Sequence, residues 1–352
     1  MKFSFFSGFG YAPRQKQPDW PLPPHLHVQE NVQAGISRAF GLFDLADELG
    51  FDWLATPEHH FKPYLSSNAL LTAAVLTQRN YRARIAVLGT IVPGRDPVSL
   101  AEDIATLDQF AAGKLVVALL RGNPVEQLTF AVNPKERHAR FEEAVELILT
   151  AWESGDAFGW EGRYYRRNPV GVWPKPFNGV RPETIVPVST PEGAAFAARL
   201  KLSIGLGHIA VAEAAGLTAI YRREAESHGW TPRPDNIVYH CEIHIAETDS
   251  QSEDEIREFR LGILPDPLGA DSDAGRRIRA ALGEREDGHF AGGFKVLRFS
   301  GGPDTVARQI DKAAKAIGFG VINLIFQGGR LPGTKGRDSV ALFAREVIPR
   351  FR

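Results

Sequence analysis

The stretch Gly50 to Phe61, GFDWLATPEHHF, sets a carboxylate and two imidazoles, Glu58, His59 and His60, directly behind the short apolar run Phe51 to Ala55. A run of that length reads as a buried strand, so the three ionisable groups stand at a strand's exit. Carboxylate and imidazole together can move protons near neutral pH, which is acid–base chemistry. A solvated turn that merely leads into the next segment has the same composition, and spacing alone leaves both readings open.

Further candidates are scattered along the chain. Ser189-Thr190-Pro191-Glu192-Gly193 places hydroxyls before a proline, the pattern of a helix start whose N–H groups face an anion, or of an ordinary cap. Ser300-Gly301-Gly302-Pro303 has the same character and competes with it. Arg121, Gly122 and Asn123 follow an apolar run and add a cation. His240, Glu242 and His244 alternate, so they share one strand face and could ligate a metal as in a barrel metallohydrolase; His25 and His27 form a weaker pair. No inward Asp or Lys set on other strands accompanies them, and the site expectation carries no metal.

The elements that must position these groups alternate along nearly the whole chain. Apolar runs predict strands at 2–7, 51–55, 84–92, 114–120, 184–188, 201–205, 236–246 and 320–326. Helical spacing lies between them at 33–49, 68–78, 97–110, 133–154, 191–200, 208–229, 252–261, 303–317 and 337–352. Eight near-continuous hydrophobic strands, each followed by a helix, favour a closed (β/α)8 TIM barrel over an open sheet. One α/β domain covers 1–352, with insertions at about 11–32, 157–180 and 262–293. The second of these is rich in aromatics, Gly and Pro and suits a small hairpin, and the first and third are placed over the barrel mouth. Chemistry in such barrels gathers where strands end, and those ends carry Ser7 and Gly8, Glu58 and His59, Gly89 and Thr90, Arg121 to Asn123, Ser189 and Thr190, Gly205 to His208, His244, and Gln327 to Gly329.

Composition narrows the function classes. The chain has 41 basic and 42 acidic residues, so no basic surface argues for nucleic acid. No run approaches the roughly 20 apolar residues a membrane helix needs. The lone Cys241 excludes an intrachain disulfide, and the first apolar segment is too short for a secretion signal. A cytoplasmic protein is expected.

Taken together, PEHHF at 57–61, LGTIVPGRDPVSLAEDIATLDQFAAGKLVVALLRG at 88–122, RHARFEEAVELI at 137–148, VSTPEG at 188–193, GGPDTVARQI from 301 and LFAREVIPRF near the end resemble the bacterial luciferase-like, flavin-dependent monooxygenase family. The resemblance implies a barrel that takes reduced FMN from an NAD(P)H-dependent flavin reductase. Such an enzyme forms a flavin C4a-peroxide with O2 and oxygenates a small organic substrate, as a dimer or tetramer. By the same resemblance His59, with Glu58 and His60 beside it, sits near the flavin ring, and Gly89 and Thr90 lie against the isoalloxazine. Arg121 and Asn123, Ser189, Thr190 and Gly193 form the phosphate cradle, with Arg137 or Arg140 as a second cation. Leu120 stands where luciferases carry a reactive cysteine, which argues against light emission. The family also holds F420-dependent hydride-transfer enzymes and non-catalytic flavin binders; EHHF and the hydroxyl-rich cradle suit FMN better.

Overall fold

The computed structural model describes residues 1–12, 23–261, 297–326 and 331–352. Eight parallel strands close into a barrel in the order β1 (Lys2–Phe6), β2 (Trp53–Thr56), β3 (Arg84–Ile91), β4 (Leu115–Leu120), β7 (Glu183–Pro187), β8 (Ser203–Gly207), β9 (Ile237–Ile245) and β11 (Val321–Phe326), with β11 pairing back onto β1. Between β4 and β7 the chain makes an antiparallel hairpin, β5 (Phe158–Glu161) and β6 (Arg166–Val170), as its aromatic composition suggests. The expected barrel is therefore present, with its strands where the apolar runs place them.

Helices α1 (Gln29–Glu48), α2 (Ala69–Thr77), α3 (Pro97–Phe110), α5 (Arg137–Glu153), α6 (Pro191–Arg199), α7 (Val211–Ser227), α8 (Asp249–Phe259), α9 (Pro303–Ile317) and α10 (Lys335–Glu346) accompany the strands. Several start on caps legible in the sequence: Asn68 accepts from Leu70 N and Leu71 N, and Asp96, followed by a proline, accepts from Val98 N and Ser99 N. Two elements are additions to the sequence reading. A short helix α4 (Pro124–Thr129) follows β4, and strand β10 (Leu297–Gly301) pairs in parallel with the far half of β9, outside the closed ring. The expected insertion at 262–293, and 13–22 of the one at 11–32, lie outside the described residues.

Two cores follow from the two-residue period of the strands. Outward residues such as Phe3, Phe5, Leu54, Val87, Val117 and Ile322 pack against the helices, and inward ones such as Trp53, Ala55, Ala86, Val116, Ile185, Val238 and Val321 fill the barrel. The inward side chains are graded along the axis. Ser4, Ala55, Ala86, Ala118, Val238 and Asn323 are buried, whereas Phe6, Leu88, Leu120, Gly205, His240 and Ile325, nearer the C-terminal strand ends, are partly exposed. Among the described residues the barrel is thus filled below and only partly filled above, where its C-terminal end forms a recess with largely apolar walls.

Candidate active site

At the exit of β2 the chain runs extended into the recess. Glu58 is buried, with 4% of its surface exposed, and is held from three sides. His60 Nε2 lies 2.9 Å from Oε1, Thr90 Oγ1 donates to Oε2 at 3.0 Å, and Arg95 Nη2 approaches Oε2 at 3.8 Å. A buried carboxylate needs such partners, and these three tie the β2 and β3 exits together. His60 turns its ring edge-on to Phe130 at 4.7 Å, while His59 faces Tyr64 at 5.4 Å. The two neighbouring imidazoles thus meet different partners.

Three imidazoles, two from the exits of β2 and β8 and one from within β9, converge at the recess. His208 follows β8 with a positive φ of 55°, and its ring meets that of His240 on β9 at 4.9 Å in a T-shaped contact. Phe6 packs edge-on to His240 from β1 at 5.2 Å. Burial lowers the pKa of His59 to about 3, helped by Lys62, His60 and His208; burial and then Arg298 lower His208 to about 4. His240 is held far below the usual histidine range by burial, with His208 and His59 adding to it. His59 keeps some contact with solvent and His208 more, although both are surrounded by protein, as expected for groups lining a concavity. Here the structure corrects the expectation of an imidazole titrating near neutrality: desolvation keeps His59 uncharged at pH 7, with one ring nitrogen able to donate a hydrogen bond and the other able to accept one.

The strand-3 backbone makes the adjoining wall. Pairing between β3 and β4 slips by one residue at Gly89, between Leu88 opposite Ala118 and Thr90 opposite Leu119, and the Leu88–Gly89 peptide is cis. A Cβ at Gly89 would lie 2.2 Å from the Ala118 carbonyl oxygen, so only glycine lets the strands approach this closely.

A polar edge is built at the ends of β4 and β7. Arg121 Nη2 donates to Ser189 Oγ at 3.3 Å, and its Nη1 lies 2.9 Å from His138 Nδ1. Thr190 caps α6 by accepting from Gly193 N at 3.2 Å, with Pro191 at the first helical position. Asn123 exchanges two bonds with Glu126, its amide oxygen taking Glu126 N at 2.9 Å and its own N–H meeting the carboxylate at 3.0 Å, and so starts α4. Arg137 reaches the other nitrogen of His138 at 3.1 Å. Arg140 instead packs over Tyr164 at 4.9 Å and bonds Glu136 at 3.4 Å. Arg121, Ser189, Thr190 and Gly193 are thus brought to one place, with Arg137 nearby on the far side of the His138 ring.

The competing start at Ser300 to Pro303 is closed by the protein itself. Asp249 takes Gly302 N at 2.6 Å and Thr305 Oγ1 at 2.8 Å, so a side-chain carboxylate already occupies the anion position. The strand-9 trio also divides: His240 meets Asn323 and His208, whereas His244 Nε2 lies 3.0 Å from Oε2 of Glu255, whose Oε1 holds Lys335. Among the described residues no group of three or more His, Cys, Asp or Glu is arranged to hold a metal ion. Residues the sequence reading passed over include Ser4, Asn323 and Lys62, and His208 was marked only as part of a strand exit. Inward alternation on β1, β9 and β11 is the signal that links Ser4, His240 and Asn323.

Comparison with known proteins agrees with this fold. Residues 1–319 match the family model described as luciferase-like monooxygenase. The alkanal monooxygenase alpha chain of Photobacterium leiognathi is 25% identical over 203 residues, 57% of each chain. The F420-dependent glucose-6-phosphate dehydrogenase of Nocardia farcinica is 28% identical over 159 residues, 42% of this chain and 47% of that one. The chain spans about half the length of the curated relatives it matches. Among solved structures, the monooxygenase RslO1 from Streptomyces bottropensis superposes over all of both chains with a TM-score of 0.77 at 23% identity. The oxygenating constituent of 3,6-diketocamphane monooxygenase from Pseudomonas putida, in complex with FMN, gives 0.75 at 17% identity over 99% of this chain and 98% of that one. At such identities the superpositions speak for the fold, and the family match speaks for descent: the chain belongs to the luciferase-like monooxygenase family.

Proposed function

We propose that this protein is a flavin-dependent monooxygenase that binds reduced FMN in the recess and uses O2 to oxygenate a small organic substrate. The observation that carries the reading is a recess whose described residues make two kinds of wall. Its sides, at Phe6, Leu88 and Leu120, are apolar and suit a flat ring system, and its edge joins Arg121 to Ser189 beside the capped start of α6, which suits a phosphate. The donor set therefore fits FMN, and Arg121, Ser189, Thr190 and Gly193, with Asn123, Arg137 and Arg140 nearby, are the residues proposed to hold or frame its phosphate end. Gly89 and Thr90 are proposed to lie against the ring. Bound reduced flavin supplies the electrons that activate O2.

The rest is the work of the chain. The apolar walls exclude water from the reacting centre. The neutral His59 is proposed as the catalytic imidazole: it offers a hydrogen bond to negative charge developing on oxygen and accepts one from the substrate. His60, bound to Glu58, is proposed to hold the β2 exit in place and shape the substrate side. Reduced FMN is proposed to arrive from a separate NAD(P)H-dependent reductase, and the working form to be a cytoplasmic homo-oligomer. The test is a titration of the protein with FMN and with F420, followed by single-turnover mixing of the reduced complex with O2. Tight FMN binding and O2-dependent product formation support the reading; binding of F420 alone, with hydride transfer in the absence of O2, refutes it.

A further inference from the structure

The row of side chains at the foot of the recess is set by strand register. Ser4 on β1 stands opposite Asn323 on β11, Asn323 stands opposite His240 on β9, and His240 stands opposite Gly207 on β8. All point inward, and Ser4 and Asn323 have no exposed surface. Ser4 Oγ donates to Asn323 Oδ1 at 2.5 Å, and the amide nitrogen faces the other side. There Asn323 Nδ2 meets His240 Nδ1. An amide NH2 only donates, so Nδ1 must accept, and a neutral imidazole carries its one proton on the nitrogen that does not accept. Gly207 sets no side chain on the other side of the ring, where an added Cβ would lie in van der Waals contact with Cδ2 at 3.6 Å.

We infer that the Ser4–Asn323 pair locks His240 as the Nε2–H tautomer, making it a fixed hydrogen-bond donor in the recess for a carbonyl oxygen of the bound molecule. The inference rests on the proposed function for the nature of that molecule, and two sources share the chemistry, a carbonyl of the flavin ring or one on the substrate. Three features make His240 suited to the task. It is neutral, so it does not select for anions. It is partly exposed where Ser4 and Asn323 beneath it are not. It is also flanked by the rings of Phe6 and His208 in T-shaped contacts, which restrict the direction of the N–H. His240 is thus a binding residue, and Ser4 and Asn323 are positioning residues that act through it.

The tautomer is tested without activity, by 15N NMR of histidine-labelled protein. The expected spectrum assigns His240 a pyrrole-type Nε2 and a pyridine-type Nδ1, and Asn323→Asp, whose carboxylate only accepts, moves the proton to Nδ1. A wild-type Nδ1–H tautomer overturns the inference. Binding then separates the two sources. His240→Phe keeps the ring's bulk and should weaken the bound molecule about 10-fold, the scale of one lost hydrogen bond. The loss falls on the FMN dissociation constant if the flavin is the partner. It falls on the binding of α-tetralone, a neutral ketone probe, to the FMN-loaded protein if the substrate is. No change in either constant, with Nε2–H seen by NMR and the variant folded by circular dichroism, overturns the donor role. A wild-type protein that fails to bind FMN would instead overturn the proposed function and leave the tautomer result standing.

Discussion

Replacing His59 by Gln should make the protein less sensitive to acid. Burial puts the folded pKa of His59 near 3, against 6.5 for the free side chain. Below pH 6.5 the unfolded chain therefore takes up a proton that the folded chain refuses, so the unfolded state gains. The stability that depends on a neutral His59 is complete above pH 6.5 and is lost as pH falls from 6.5 toward 3. At 1.36 kcal/mol per pH unit, the loss from this one residue reaches about 2 kcal/mol by pH 5. His208 and His240 are shifted in the same direction and add to the wild-type loss. Gln preserves a hydrogen-bonding side chain and removes the titration, and comparing each protein with itself at two pH values cancels the offset that the substitution introduces. Urea unfolding of wild type and His59→Gln at pH 7 and pH 5 gives the four numbers needed. The wild type should lose about 2 kcal/mol more than the variant over this interval. Equal losses would show that His59 titrates alike in both states, and the argument from burial would fail.

Three further outcomes follow from the same geometry. Arg121→Ala should raise the FMN dissociation constant by about 10- to 100-fold, the scale of a lost charge-assisted contact, in a fluorescence titration; an unchanged constant removes Arg121 from the cradle. Gly89→Ala pushes a methyl group into the Ala118 carbonyl and should lower stability by roughly 1–3 kcal/mol, read as a shifted urea midpoint with unchanged slope. His59→Ala should bind FMN normally and lower the oxygenation rate by about 10²- to 10³-fold, with His60→Ala doing less; turnover and hydrogen peroxide release measured on both variants decide it.

The barrel was legible because its strands are buried on both faces. Runs such as RIAVLGTI and LVVALL have few other stable settings, and the turn chemistry of Asn68, Asp96-Pro97 and Thr190-Pro191 marks where the helices begin. β10 escaped notice because LRFSG is only five residues long and runs into Gly301-Gly302-Pro303, which reads as loop until β9 is known to extend beyond the ring and offer a partner. In the site, His59, Arg121 and Ser189 were visible as residue types at strand exits. The state of the imidazoles was not, because it depends on how much protein surrounds each ring, and that comes from strands far apart in sequence. Nor was the occupation of the Gly301-Gly302 turn, since Asp249 arrives from 53 positions away. The row of Ser4, Asn323 and His240 needs the register of three strands, which no local pattern contains.

The central claim is that the recess holds reduced FMN and uses it with O2. Protein loaded with stoichiometric FMN, reduced anaerobically and mixed with 18O2 in the presence of a panel of neutral carbonyl compounds, tests it in one experiment. The expected result is one 18O atom in an oxygenated product, with a yield that falls in His59→Ala. Reduced FMN that stays free in solution, or product that forms equally well without O2 when reduced F420 is supplied, would contradict it.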